Sequence, residues 1–173
     1  MAGQMYYQKF DLPTSISNSN LIKIIDFYLI NCPVAGKSHR GKTLQDYGFR
    51  GSVAFSALKK EMLQSATASL KENYKACKKD ELEINFQKME SVSPPDEYCV
   101  FLKHDEKRVM NSLLSAIRNA LAHGSFNVKA YNNIRIYFFM NHKDYTKAKI
   151  VLQERTLLSW IKIFQNGYSG LNK

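Results

Sequence analysis

The sequence predicts a single, mainly α-helical domain with a β-hairpin inserted before its last helix. Apolar residues recur at helical spacing in four separate segments, whereas strand-like runs are concentrated in the region 134–152. Of the 173 residues 45% are hydrophobic, which is enough to build one sizeable core. We therefore expect residues 1–173 to form one domain.

The N-terminal half contributes two predicted helices. Residues 20–29 place apolar side chains on one face of a short helix, and residues 52–77 form the longest predicted helix. Residues 78–96 are polar, with a candidate short strand at 82–86. Residues 98–101 are a short apolar run that leads into the next helix.

An amphipathic helix is predicted from Asp105 to His123, and it is the most informative element of the chain. Gly124 follows it, where a left-handed residue commonly ends a helix. One apolar stripe runs along this helix and comprises Val109, Met110, Leu113, Leu114, Ile117, Ala120 and Leu121. The stripe predicts which side of the helix faces the core.

The opposite side of this helix carries Arg118, Asn119 and His123. Arginine can clamp a phosphate, and histidine can move a proton near neutral pH. The other residues there are small or uncharged, among them Ser115 and Ala122, so a second chain is expected to pack against this side. The plainer alternative is a surface arginine and a helix-end histidine that favours the C-terminal dipole.

The chain after this helix is predicted to form a hairpin and a final helix. Residues 134–140 are the first strand, residues 148–152 its partner, and residues 154–165 the helix. Alternation along the first strand is expected to bury Ile136 and Phe138 and to leave Tyr137 and Phe139 on the other face.

The run Ile117–Phe126, with Arg118, Asn119 and His123 in it, resembles the signature of the HEPN superfamily: arginine, a polar residue, three variable residues and histidine. The resemblance covers about a third of the chain, residues 115–165. It implies an up-and-down helical bundle that pairs as a homodimer with the two motifs facing each other. Many HEPN proteins are metal-independent endoribonucleases of toxin–antitoxin, abortive-infection and RNA-targeting CRISPR systems, and others bind without catalysis.

The resemblance therefore implies an endoribonuclease that needs no metal and no cofactor. His123 is expected to act as general base or general acid, Arg118 to stabilise the charge of the transition state, and Asn119 to orient the phosphate or the imidazole. The expected partners are the RNA substrate, a second copy of the chain, and an antitoxin of RNA or protein. The alternative is a catalytically inactive HEPN-type module that binds RNA or protein.

Composition agrees with an RNA partner without establishing one. The formal net charge of +10 attracts polyanions, although an acidic protein partner would be attracted as well. The first ten residues lack the apolar core of a signal peptide, and no segment has the length of a transmembrane helix. The three cysteines and four histidines show no metal-ligand spacing. A cytoplasmic protein without membrane contact is expected.

A second motif, Gly36–Thr43, fits the P-loop pattern G-x-x-x-x-G-K-[ST]. A P-loop follows a buried strand and opens a helix, but here the preceding apolar run has helical spacing and Gly48 interrupts the segment that follows. We therefore expect no nucleotide hydrolysis. One expectation is that the loop contacts RNA phosphates through Lys37, Arg40 and Lys42. The other is that it is a solvent-exposed loop without a binding role.

Overall fold

The computed structural model describes residues 19–34, 42–104 and 109–171, and within these residues the fold is α/β, built on a five-stranded mixed sheet. The strand order is β1-β2-β5-β4-β3. β1 and β2 are parallel and the other neighbouring pairs antiparallel. The strands are β1 (Tyr74–Cys77), β2 (Tyr98–Leu102), β3 (Phe126–Tyr131), β4 (Ile134–His142) and β5 (Thr146–Gln153).

The helices lie in layers around this sheet. They are α1 (Ser19–Ile25), continued by a π-helix (Asp26–Ile30), then α2 (Gly51–Gln64), α3 (Ala68–Glu72), α4 (Leu82–Met89), α5 (Val109–Ala122) and α6 (Glu154–Gly170), with 3-10 turns at Leu44–Tyr47 and Lys79–Glu81. α5 and α6 pack against one face, which we call the inner face, and α1 and α2 pack against them from outside. α4 packs on the opposite, outer face over β1 and β2.

The main core lies between the inner face and the helices. Trp160 is fully buried there, and its indole N–H donates to the carbonyl of Met62 at 2.9 Å, which joins α6 to α2. The buried Tyr28 hydroxyl donates to the carbonyl of Leu157 at 2.9 Å. Both polar groups are therefore satisfied inside an apolar interior, where an unpaired donor would cost free energy.

The prediction of a mainly α, up-and-down helical bundle is wrong. The sheet also contains β1, β2 and β3, none of which was predicted as a strand. The predicted helix 52–77 ends at Gln64 because Thr67 starts a new helix, its hydroxyl accepting from the Leu70 N–H at 3.3 Å. Residues 82–86, predicted as a strand, lie in α4.

Several other predictions are confirmed. α1 and its π-helical continuation occupy the first predicted helix, β4 and β5 form the predicted hairpin, and α6 is the predicted last helix, extended to Gly170. α5 is described from Val109, and Asp105 to Arg108 lie outside the described residues. The predicted apolar stripe of α5 is buried, apart from a half-buried Val109.

The predicted alternation of β4 is confirmed and Ile136 is buried as expected, but the prediction of which face meets the main core is wrong. Tyr137 and Phe139 are the buried aromatic residues of the inner face, with ring centres 6.1 Å apart. Phe138 is half-buried on the outer face, beside the buried Ile136. The difference arises because the sheet is covered on both faces along part of β4, so alternation alone does not indicate which face meets the larger core.

Candidate functional site

The C-terminal end of α5 presents the motif histidine to solvent. The Gly124 N–H donates to the Leu121 carbonyl at 3.3 Å, and the Ser125 N–H to the Ala120 carbonyl at 2.8 Å. Gly124 has a φ of +65°, so this is the left-handed helix ending that the sequence predicted. His123 is the last residue before that turn, and its side chain is exposed.

Arg118 lies at the edge of the protein interior without an ionic partner. Its side chain is half-buried, and no carboxylate of the described residues lies within salt-bridge distance of it. Its Nη1 is 3.4 Å from Asn119 Oδ1, a long contact, and its Nε is buried without a hydrogen-bond acceptor. A buried donor left unsatisfied costs about 1–3 kcal/mol, so the arrangement favours an anion as the missing acceptor.

Asn119 lies between Arg118 and His123 in the motif, and its backbone carbonyl joins the histidine to the helix. The His123 N–H donates to the Asn119 carbonyl at 3.0 Å, so the helical hydrogen bonding continues through the histidine. At a rise of about 1.5 Å per residue, Arg118 and His123 are separated by roughly 7.5 Å along the helix axis. A phosphate group with its neighbouring riboses can bridge that separation.

Part of the small-residue side of α5 is covered by the protomer itself. Ser112 and Ser115 are buried, and the Ser112 hydroxyl accepts from the His104 N–H at 3.2 Å. A second chain cannot pack directly on these two serines, which corrects the sequence-based expectation for this part of the helix. Ala122 and His123 are exposed and remain accessible to a partner.

A groove opens directly after the motif. Its cavity has a volume of about 120 Å³, and it is bordered by the turn after α5 and by the first residues of the β3–β4 ladder. The Met140 N–H donates to the Ser125 carbonyl at 2.9 Å and so joins the turn to β4. The lining residues are Gly124, Ser125, Phe126, Asn127, Phe138, Phe139 and Met140.

Sequence reasoning did not connect this groove with the motif. β3 was not predicted, although Asn132-Asn133 carries the signal of a two-residue hairpin turn, and both residues have positive φ. That turn pairs Asn127 with Phe138 across the two strands. Recognising it would have placed both side chains on the strand pair that begins directly after Gly124.

Of the basic loop residues, Lys42 is described and Lys37 and Arg40 lie outside the described residues. Lys42 is exposed, with its Nζ 5.5 Å from the centre of the Tyr47 ring. The Thr43 hydroxyl donates to Asp46 Oδ2 at 2.8 Å, and the Thr43 N–H donates to the same oxygen at 2.6 Å. These hydrogen bonds, with smaller contributions from Arg50 and Lys42, lower the pKa of Asp46.

The surroundings of this loop differ from those of a P-loop. The described residues 19–30 before it are helical, and Thr43 is the N-cap of a four-residue 3-10 turn, Leu44–Tyr47. A P-loop threonine instead binds Mg²⁺ at the start of a longer helix. Lys42 and Thr43 therefore lack the setting that nucleotide binding requires.

Comparison with known proteins yielded no relative. No protein-family model matches the chain, and neither a curated protein nor a solved structure matches it. In the described part of the chain, no three His, Cys, Asp or Glu side chains come together as a metal site, and no helix is long and apolar enough to cross a membrane.

Proposed function

We propose that this protein is a metal-independent endoribonuclease whose catalytic residues are Arg118, Asn119 and His123. The observation that carries the proposal is the state of Arg118: half-buried, without a carboxylate partner among the described residues, and with a buried Nε that has no acceptor. A phosphate would supply the missing acceptor and the missing negative charge. His123 is exposed at the end of the same helix.

Cleavage would proceed by attack of the ribose 2′-oxygen on the adjacent phosphorus. An imidazole takes the 2′-OH proton, the P–O5′ bond breaks, and a second proton donor protonates the leaving 5′-oxygen. Arg118 stabilises the extra negative charge on the pentacoordinate phosphate, and Asn119 orients that phosphate. The products are a 2′,3′-cyclic phosphate and a 5′-hydroxyl.

A homodimer supplies both proton-transfer groups. One His123 acts as base and the His123 of the second copy as acid, with the two α5 ends facing one RNA strand. The exposed Ala122 and His123 at this end of the helix support such pairing, since no described element covers them. The chemistry depends on these side chains and does not require the helical bundle that the resemblance implied.

The proposal is tested with purified variants and a labelled RNA. His123→Ala and Arg118→Ala should each lower the cleavage rate by at least about a hundredfold, since each removes a group that acts in the transition state. The matched controls are His104→Ala and Arg50→Ala, which should retain the cleavage rate of the wild type. His104 is an exposed histidine upstream of α5, and Arg50 is an exposed arginine. Equal losses in variants and controls, or cleavage that persists in His123→Ala, would refute the assignment.

A further inference from the structure

The outer face of β3 and β4 continues the motif surface away from His123. Strand register puts Asn127 opposite Phe138 and Lys129 opposite Ile136 on this face, since Tyr137 and Phe139 point into the inner core. α4 covers the outer face over β1 and β2, whereas Phe138 and Met140 are half-buried and belong neither to the main core nor to the apolar cluster under α4. Asn127 is half-buried as well.

This face carries aromatic and positively charged side chains together. The Phe138 ring lies 6.5 Å from the Tyr131 ring, and Lys129 Nζ is 5.9 Å from the centre of the Phe138 ring. Lys149 is the direct cross-strand neighbour of Met140, and its Nζ lies 4.9 Å from the centre of the Phe86 ring of α4. None of the five described strands contains an aspartate or a glutamate, so the positive charge on the face is not neutralised by the sheet itself.

From this combination we infer a nucleobase-binding subsite in the groove that begins at Gly124, the residue after His123, and we infer that it takes one unpaired base of a single-stranded RNA. The base stacks on Phe138, the Asn127 amide hydrogen-bonds to the base edge, and Lys129 and Lys149 contact the flanking phosphates. The inference rests on the proposed function for the identity of the strand, because the groove adjoins the residues assigned to cleavage.

Single-stranded RNA fits this surface better than an acidic protein segment. Stacking uses the flat face of a base and tolerates a half-buried aromatic ring, whereas a peptide carboxylate gains nothing from Phe138. A duplex keeps its bases paired and stacked internally, so it cannot place one in the groove. The subsite therefore favours unpaired nucleotides at the cleavage position.

The test is equilibrium binding of a short fluorescent RNA in the His123→Ala background, where the proposed cleavage is blocked. Phe138→Leu keeps an apolar side chain but removes the ring, and it should weaken single-strand binding about tenfold. Phe138→Tyr retains the ring and should bind normally. Phe55→Leu, at a half-buried phenylalanine of α2, is the matched control and should also bind normally.

Two further measurements identify the contacts. Replacing one nucleotide of the RNA by an abasic residue should weaken its binding to the protein that retains Phe138. The same replacement should have little effect on the affinity of the RNA for Phe138→Leu. Lys149→Gln and Lys129→Gln should each reduce the slope of log affinity against log salt concentration by about 0.7. The control is Lys162→Gln, at an exposed position of α6, which should leave the slope unchanged.

The subsite and the proposed cleavage can fail separately. The subsite would be overturned if Phe138→Leu and Phe138→Tyr bound single-stranded RNA with equal affinity. It would also be overturned if Phe138→Leu weakened the binding of duplex RNA as much as that of single-stranded RNA, or if a polyglutamate peptide bound in a Phe138-dependent way. If the wild type cuts RNA and Phe138→Leu keeps its KM, the subsite is wrong and the cleavage proposal stands. If no RNA is cut but Phe138-dependent binding is found, the subsite stands without catalysis.

Discussion

Arg118 is the residue whose surroundings bear most directly on function. Its buried Nε has no acceptor among the described residues, so folding leaves a desolvation cost that a bound anion would remove. Arg118→Met keeps most of the side-chain volume and removes the unpaired donor. We expect it to abolish cleavage while the free energy of unfolding stays the same or rises by up to about 1 kcal/mol, measured by urea denaturation.

A purely structural arginine would behave in the opposite way. If Arg118 held the fold together, Arg118→Met would lower stability by more than about 2 kcal/mol, as the loss of a buried network does. Arg118→Lys separates charge from geometry, since it keeps the positive charge but loses the planar, bidentate donor group. We expect it to retain only a small part of the activity.

Arg118, Asn119 and His123 could be proposed as a site from the sequence because Arg118 and Asn119 lie on α5 and His123 directly follows it, so that helical spacing determines the face. Phe138 could not, because its facing depends on the register of β4 against β3 and β5. A shift of one position in a strand exchanges its faces, and no local signal fixes that choice when both faces are partly covered.

Two glycines with positive φ, Gly124 after α5 and Gly167 at a kink inside α6, make a useful pair of test positions. Gly124 and Gly167 have φ of +65° and +66°, but a Cβ at Gly124 meets nothing within 4 Å, whereas one at Gly167 would lie 2.8 Å from the Tyr47 carbonyl oxygen. Gly124→Ala should cost about 1–2 kcal/mol of stability, and Gly167→Ala about 1–3 kcal/mol more, measured by thermal unfolding. Equal losses would mean that Tyr47 does not pack against α6 as described.

Glu97 joins the beginnings of two helices and is fully buried. Its carboxylate accepts from the Gln153 N–H at 2.7 Å, just before α6, and from the Thr67 hydroxyl at 2.5 Å, just before α3. Glu97→Gln should lower the free energy of unfolding by about 2–4 kcal/mol, because the amide replaces one acceptor by a donor and removes the charge.

The matched control for Glu97 is Glu83→Gln, at an exposed position of α4, which should change stability by less than about 0.5 kcal/mol. Chemical denaturation of both variants would separate the two expectations. A loss below about 1 kcal/mol for Glu97→Gln would show that the carboxylate is not the link between α3 and α6.

Elements with a long, regular pattern were predictable and short elements were not. α5 and α6 each bury a continuous apolar stripe, and β4 and β5 are connected by a short turn. β1 has four residues and pairs in parallel with β2 across the intervening α4, a non-local contact. Its residues Tyr74–Cys77 continue the helical spacing of the preceding segment, so tertiary pairing overrides the local preference.

At the scale of the whole molecule, the proposed cleavage site requires two copies of the chain to pair at the ends of their α5 helices. Ala122 is exposed at the motif end of α5, so Ala122→Glu would bring two like charges together in a symmetric pair without disturbing the monomer core. We expect the variant to sediment as a folded monomer and to lose cleavage. Ala68→Glu, at an exposed alanine that begins α3, should remain dimeric and active.

An active monomer in sedimentation velocity at assay concentration would refute the composite site. A dimer that persists in Ala122→Glu would place the interface elsewhere. Ser115 cannot serve for this experiment, because it is buried within the protomer and its replacement by glutamate would perturb the fold itself.

The whole-molecule fold was the part of the prediction that failed. The resemblance to the HEPN motif rests on local spacing along α5, and local spacing does not specify which elements pack around that helix. Here the inner face of a five-stranded sheet and the π-helical segment lie against it. The same helix-end arrangement of arginine, asparagine and histidine is therefore presented on an α/β scaffold.

The most direct test of the central claim is the analysis of RNA ends after incubation with the purified wild-type protein in excess EDTA. The proposed mechanism predicts cleavage that EDTA does not reduce, with 2′,3′-cyclic phosphate and 5′-hydroxyl ends that are absent with His123→Ala. Cleavage that EDTA abolishes and Mg²⁺ restores, or products that carry 5′-phosphate and 3′-hydroxyl ends, would contradict it.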